Sequence, residues 1–296
     1  MNFWTTMAFG WLASVAVQAL RGAETEVPPL LFACEGARKI ILFAADGSVA
    51  WEYPAEMSRD AWRLANGNVL FCYNNQYDSH HNDNPSGVME VSSDKRVVFH
   101  FQTTGQVWSC QRLADGNTLV AAASQGKLLI VDPTGHVVHT IKLLNTPSHS
   151  CLRNARQIAG GHFLVAEESA HAVREYAAGG QLVREIKVSF PPYSAVRLPD
   201  GHTLVCGGKA MVEVDGHEQA VWSLAEADVA QLGIRWMAGL QVLPGGTLLV
   251  CNAGGKVPFF EVNRRKQIVW QWPAAAPQVA LGHGIQRLDV PGDPVK

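Results

Sequence analysis

Residues 63–71 read RLANGNVLF, and the phrase returns as RLADGNTLV (112–120), QIAGGHFLV (157–165), RLPDGHTLV (197–205) and VLPGGTLLV (242–250). Each copy is a short apolar strand, a turn built on glycine and a second apolar strand, which is the pattern of a β-hairpin. The turn glycines Gly67, Gly116, Gly161, Gly201 and Gly246 are spaced by 49, 45, 40 and 45 residues, the mark of a repeat architecture. A sixth first strand, Ile285-Gln286-Arg287-Leu288, stands where the next step falls.

The rest of that sixth unit lies at the other end of the sequence. LFACEGARKIILFAADGSVAW (31–51) aligns without gaps to LVAAASQGKLLIVDPTGHVVH (119–139) and LVAEESAHAVREYAAGGQLVR (164–184), so it supplies second, third and fourth strands but no first. Joining the two partial units makes one complete sheet and removes two free strand edges. Fourth strands count to six: 49–53, 97–101, 137–141, 182–186, 220–224 and 268–272. Large aromatics in them (Trp51, Phe99, Trp222, Trp270) are expected to cover the gaps between neighbouring sheets. Two stacked β-sandwiches of three units each are the competing arrangement, but they have no need of complementation between distant segments. The expected fold is therefore all-β: a six-bladed β-propeller with four-stranded blades, closed by N-terminal strands joining a C-terminal strand, in one domain over 24–296.

Composition agrees. Apolar residues make up 47% of the 296 and charged residues 17%, which excludes a disordered chain and suits strands packed on both faces. With 24 Lys and Arg against 26 Asp and Glu, no basic field exists to hold nucleic acid. Met7–Leu20 is apolar, and Val17-Gln18-Ala19 places small residues where signal peptidase needs them. A signal peptide over 1–23, cleaved after 19 or 23, is expected, and with it export to the periplasm or the medium. No later segment is long and apolar enough to span a membrane.

Six cysteines in an exported chain invite a disulfide framework. The repeat argues otherwise: the position five residues past each turn glycine holds Cys72, Ala121, Ala166, Cys206 and Cys251, with Ala33 in the N-terminal copy. A slot filled only by Ala or Cys is a packing slot. A pairing of Cys110 with Cys151, which adjoin neighbouring inner strands, stays open.

In such a ring the first strands line a central channel and the loops before them form its mouth, where concavity and polar groups coincide. The residues eight and seven positions before each turn glycine are Arg59-Asp60, Trp108-Ser109, Arg153-Asn154, Tyr193-Ser194 and Ala238-Gly239, with His283-Gly284 before the last strand. His149, Arg235 and Trp236 lie further out on the same loops. Guanidinium groups, aromatic faces and histidines together suit a small anionic or aromatic ligand. A second candidate is the long insertion 73–87, where Asp78, His80, His81 and Asp83 have metal-ligating chemistry; its Asn, Asp, Ser and Gly content favours a solvated lid-like loop, and no metal is assigned. Glu167-Glu168 reads as an exposed corner. Nucleophile elbow, Walker loop and HExxH signatures are absent from the sequence.

The repeated unit resembles the propellers of bacterial arylsulfate sulfotransferases and the wider quinoprotein-like (PQQ-like) group, which carry His-Asp-x-x-Arg-Leu-Pro-Asn-Gly-Asn-x-Leu at the inner hairpin. The matching segments are Tyr193-Ser-Ala-Val-Arg-Leu-Pro-Asp-Gly-His-Thr-Leu-Val205 and His283-Gly-Ile-Gln-Arg-Leu288. The resemblance implies His283 as a sulfuryl-accepting nucleophile, with Arg153 or Arg59 as oxyanion clamps. Six blades imply no quinone, and no cofactor is expected. The leading expectation is an exported monomeric propeller that binds a small molecule or a protein partner at its channel mouth; the alternative is group transfer through His283.

Overall fold

The computed structural model describes residues 26–75, 84–292 and 294–296. The expected signal peptide and the loop carrying Asp78, His80, His81 and Asp83 lie outside the described residues. Six four-stranded antiparallel sheets are arranged as blades. Blade I combines β1 (Leu30–Cys34), β2 (Lys39–Phe43) and β3 (Val49–Pro54) with β24 (Gly284–Arg287). Blade II holds β4 (Ala61–Arg63), β5 (Val69–Asn74), β6 (Pro85–Val91) and β7 (Val97–Thr104). Blade III holds β8 (Val107–Arg112), β9 (Thr118–Ala122), β10 (Lys127–Val131) and β11 (Val137–Lys142). Blade IV runs through β12 (Asn154–Gln157), β13 (Phe163–Glu167), β14 (Ala172–Tyr176) and β15 (Leu182–Lys187). Blade V runs through β16 (Ser194–Arg197), β17 (Thr203–Gly207), β18 (Ala210–Val214) and β19 (Ala220–Ala225). Blade VI comprises β20 (Met237–Val242), β21 (Leu248–Asn252), β22 (Phe259–Val262) and β23 (Ile268–Gln271).

The closure is as the sequence anticipates. β24 pairs with β1 in the register Leu30–Arg287, Leu31–Gln286, Phe32–Ile285 and Ala33–Gly284. The stacked-sandwich alternative is excluded. The hairpin glycines turn the chain where L-residues are disfavoured: Gly67 has φ +80° and Gly116 +87°. Leu64 N–H donates to Asn68 O, and Gly67 N–H to Leu64 O, which closes a three-residue loop of the type that needs glycine last.

Apolar packing fills the spaces between blades. Every residue of β1, β5, β9, β13, β17 and β21 is buried, because each second strand is covered on both faces. Neighbouring inner strands are also tied by side chains that take backbone N–H groups left over at the channel. Gln111, Gln241 and Gln286 accept from Gln157, Arg287 and Arg63 at 2.8, 2.7 and 2.9 Å. Ser109 Oγ accepts from Ala155 at 3.0 Å.

On the outside, the expected aromatics do bridge the gaps, and by a repeated device. Trp51, Trp222 and Trp270 donate their indole N–H to Ser93, Arg264 and Glu26 carbonyls on the next blade at 3.0, 2.8 and 3.0 Å. His139 and Arg184 occupy the equivalent outer-strand position, opposite Ile130 and Glu175, and reach the Ala178 and Asp215 carbonyls. Phe99, with no donor, instead carries the Arg112 guanidinium over its ring at 4.8 Å.

All six cysteines are buried free thiols, so Cys110 and Cys151 are not joined. The small-residue slot has a visible cause. Cys206 Sγ lies 3.2 Å from Ala238 O and Cys251 Sγ 3.3 Å from Gly282 O, where the neighbouring blade's backbone approaches too closely for a larger side chain.

Candidate functional site at the channel mouth

Seven of the sequence-predicted residues converge on one cluster. His283 is fixed first by its backbone, which donates to Ala33 O at 3.1 Å as an extension of the closure. Two glycines make this approach possible. A Cβ on Gly282 would stand 2.2 Å from the Phe32 ring, and one on Gly239 would stand 2.2 Å from His283 O. The imidazole stacks flat on Tyr193, with centroids 5.3 Å apart and planes within 6°. Tyr193 in turn meets Trp236 edge to face at 6.3 Å.

A residue at the repeat position of Glu168 organises the charges. Glu35, in the turn between β1 and β2, accepts from Arg59 Nε at 2.8 Å and Nη2 at 3.2 Å. The same carboxylate lies 3.2 Å from His283 Nδ1, at ion-pair distance but off the line of a regular hydrogen bond. Burial alone would raise the Glu35 pKa, yet His283 and the Arg59 charge bring it down to about 2. His283 is lowered to about 4, chiefly by burial and further by Arg59, so the imidazole is neutral near pH 7.

The Arg59 guanidinium also lies over the Trp108 ring, 4.0 Å from its centroid. Trp108 is therefore not a stacking surface open to a ligand: it is 1% exposed, and its indole N–H donates to His149 O at 2.9 Å. His149 Nε2 lies 3.1 Å from Arg153 Nη1, and burial together with the Arg153 charge lowers this histidine to about 4. Arg153 pairs with Glu168 at 2.5 Å. This corrects the reading of Glu167-Glu168 as an exposed corner. Both are buried, and Glu167 serves Arg174 and Tyr176 at 2.5 Å each.

The remaining predicted residues sit elsewhere. Asp60 lies deeper in the channel, where it takes both Arg156 nitrogens at 2.8 and 3.0 Å and the Cys110 N–H at 3.1 Å. Asn154 lines a cavity of about 10 Å³ between the mouth cluster and this lower layer, together with Arg59, Tyr193, His283, Arg156 and Lys296. A space of that size has room for about one water and is too small for an organic ligand. Lys296 closes the channel from the hairpin side. Its ammonium donates to Ala61 O and sits 4.3 Å from the Trp62 centroid, and burial lowers it to about 8. Arg235 is exposed and has no carboxylate partner among the described residues. Its backbone and that of Trp236 are pinned by buried Asn252, which accepts Arg235 N–H at 2.9 Å.

Chemically, the cluster is a self-neutralised lattice: Arg59 is matched by Glu35 and Arg153 by Glu168. Two uncharged groups remain unanswered, because among the described residues Tyr193 Oη and Trp236 Nε1 are buried without a hydrogen-bond partner, as is the Nε of Arg153. Away from the mouth, Asp200, His202 and Glu213 bring ligand atoms within 4.8 Å of one another. His202 and Arg264 already answer Glu213 at 2.8 and 2.5 Å. Among the described residues no helix is long and apolar enough to cross a membrane.

No protein-family model and no curated protein matches this chain. Solved structures do. A Bacteroides caccae protein of unknown function is 24% identical, over 91% of this chain and 100% of that one, with a TM-score of 0.74. Staphylococcus aureus virginiamycin B lyase, solved with quinupristin, is 10% identical over 88% of each chain, with a TM-score of 0.60. The periplasmic gluconolactonase of Pseudomonas aeruginosa is 14% identical over 89% of this chain and 99% of that one, at 0.58. These likenesses show the six-bladed propeller. The resemblance to arylsulfate sulfotransferases rests on the repeat motif alone.

Proposed function

We propose that the protein is an exported binding propeller that takes a planar anionic small molecule at its channel mouth, against Trp236 and Arg235. The observation that carries this reading is the pair of unanswered groups, Tyr193 Oη and Trp236 Nε1, with Arg235, next in the chain to Trp236, matched by no carboxylate among the described residues. Buried donors without partners each cost about 1–3 kcal/mol, so a ligand acceptor that meets them gains affinity. Arg59 and Arg153 are spoken for by Glu35 and Glu168, which leaves Arg235 to hold the ligand's negative charge. Trp236, half-buried, offers the ring face.

Titration of tryptophan fluorescence with 4-nitrophenyl sulfate tests it. Saturable quenching that weakens roughly tenfold in Arg235→Gln supports the site, since a charge-assisted hydrogen bond contributes about 1.5–3 kcal/mol. Equal binding of a cationic nitrophenyl analogue sinks it.

One feature favours a second reading, group transfer through His283. A carboxylate beside Nδ1 and a neutral ring are what orient an imidazole as nucleophile or base. Turnover of 4-nitrophenyl sulfate with a phenol acceptor, lost in His283→Ala, supports that reading. Binding without turnover leaves the scaffold.

A further inference from the structure

The repeat sets two positions against each other between neighbouring blades, on the hairpin side of the ring. One is the third-strand residue opposite the outer-strand bridge; the other lies four residues before the hairpin glycine of the next blade. In three slots these are a glutamate and an arginine in contact: Glu90 with Arg112 at 2.6 Å, Glu175 with Arg197 at 2.6 Å, and Glu261 with Arg287 at 2.5 Å. In the fourth, Val242 stands at the arginine position, and Arg264 reaches Glu213 from a turn instead, at 2.5 Å. In the fifth both positions are neutral, Ile130 and Gln157.

The sixth slot alone is unbalanced. Blade II supplies Arg63, but blade I supplies Leu42 where the others place glutamate. Among the described residues the Arg63 guanidinium has no carboxylate and no hydrogen-bond acceptor. Burial lowers its pKa, so the charge stands partly desolvated and without an answer.

Two depressions open on Arg63, of about 960 and 380 Å³. The larger is walled by Trp62, Leu64, Phe99, Leu113 and Pro133. Its one acid among the described residues, Glu90, is consumed by Arg112 and by the Asn66 and Asn68 amides at 3.2 and 2.6 Å. Among the described residues the groove therefore combines an apolar wall with one spare positive charge, and its volume suits a small organic ligand.

We propose that this groove is a second binding site, distinct from the channel mouth, for a small amphipathic anion: a carboxylate or phosphate monoester head on Arg63, with an apolar body along Trp62 and Leu64. The guanidinium fork matches either head in bidentate geometry. The ligand's charge takes the place of the glutamate that the repeat puts in the other arginine-bearing slots.

Isothermal titration of the whole protein with octanoate, octyl phosphate and octylammonium tests the assignment. Either anion is expected to bind with salt-sensitive affinity, and which of the two binds identifies the head group. Arg63→Gln should weaken binding roughly tenfold or more. Leu42→Glu restores the missing carboxylate and should abolish binding while melting no lower than the parent; if that variant does not fold, Arg63→Gln decides. Arg235→Gln should leave the titration unchanged, which separates this groove from the channel mouth. No heat from either anion, equal binding of octylammonium, or binding that survives both groove variants would overturn the proposal.

Discussion

Replacing Glu35 by Gln removes the charge that ties Arg59 and His283 together while keeping nearly the same shape. Glu35 sits 15% exposed between Arg59, 10% exposed, and His283. Its pKa falls from 4.5 to about 2 in the folded protein. A difference of about 2.5 units, at 1.36 kcal/mol each, corresponds to roughly 3 kcal/mol of stability near pH 7. The cost of stranding Arg59 without its partner points to the same range, about 3–5 kcal/mol. That is a large part of a domain's usual 5–15 kcal/mol.

The folded carboxyl titrates below the unfolded one. Its contribution is therefore complete above about pH 4.5 and disappears as pH falls toward 2. Urea unfolding of parent and Glu35→Gln, followed by tryptophan fluorescence across this range, reads the effect directly. The gap should be about 3 kcal/mol near neutrality and should close on acidification, because a protonated glutamate and a glutamine are near equivalents. A gap below about 1 kcal/mol at neutral pH, or one that does not shrink in acid, would refute the reasoning.

Three other perturbations have defined outcomes. Trp222→Phe keeps the ring but loses the hydrogen bond to Arg264 O, and should cost about 1 kcal/mol by urea unfolding, with an independent loss for Trp51→Phe. Burial pushes the Cys151 and Cys206 thiols up to about 12, so a thiol reagent should titrate all six cysteines in denaturant and none in the native protein; fewer than six in denaturant would reveal a disulfide. Lys296 titrates at about 8 in place of 10.5, so the unfolded chain binds more protons between these values and the parent gains stability as pH rises through them. Lys296→Met should lack that alkaline gain, and should be no less stable than the parent near pH 7.

Much of this molecule is legible in its sequence, and the exceptions have physical causes. Glycine at the hairpin turn is demanded by a left-handed backbone in every repeat, so its spacing survives as a count of blades. The split sixth unit is legible for the same reason. Outer-strand bridging was readable at Trp51, Trp222 and Trp270 but not at His139 and Arg184, where unlike side chains do the same work of reaching a carbonyl. The arginine four residues before the hairpin glycine is visible in three copies of the opening phrase and in the last strand. Its glutamate partner lies on another blade, so only structure reveals the pairing.

At the channel mouth, counting back from each glycine found Arg59, Trp108, Arg153 and Tyr193, and the equivalent place before the last strand gave His283. It could not reach Glu35 or Glu168, because both lie in the corners between second and third strands; the alignment sets the two at one repeat position, but nothing in the sequence sets them against the arginines they pair with. The same counting placed Asp60 at the mouth beside Arg59. In the structure the two diverge just before β4, Arg59 to Glu35 and Asp60 to Arg156.

The closure of the ring is the claim on which the mouth depends, since it carries His283 to Glu35. Amide–amide NOEs in the deuterated protein measure it directly. Cross-strand contacts should link residues 30–33 to 284–287 in the register that pairs Leu31 with Gln286 and Phe32 with Ile285. Contacts from residues 30–33 to β2 alone, with 284–287 paired elsewhere or unpaired, would contradict the two-ended propeller.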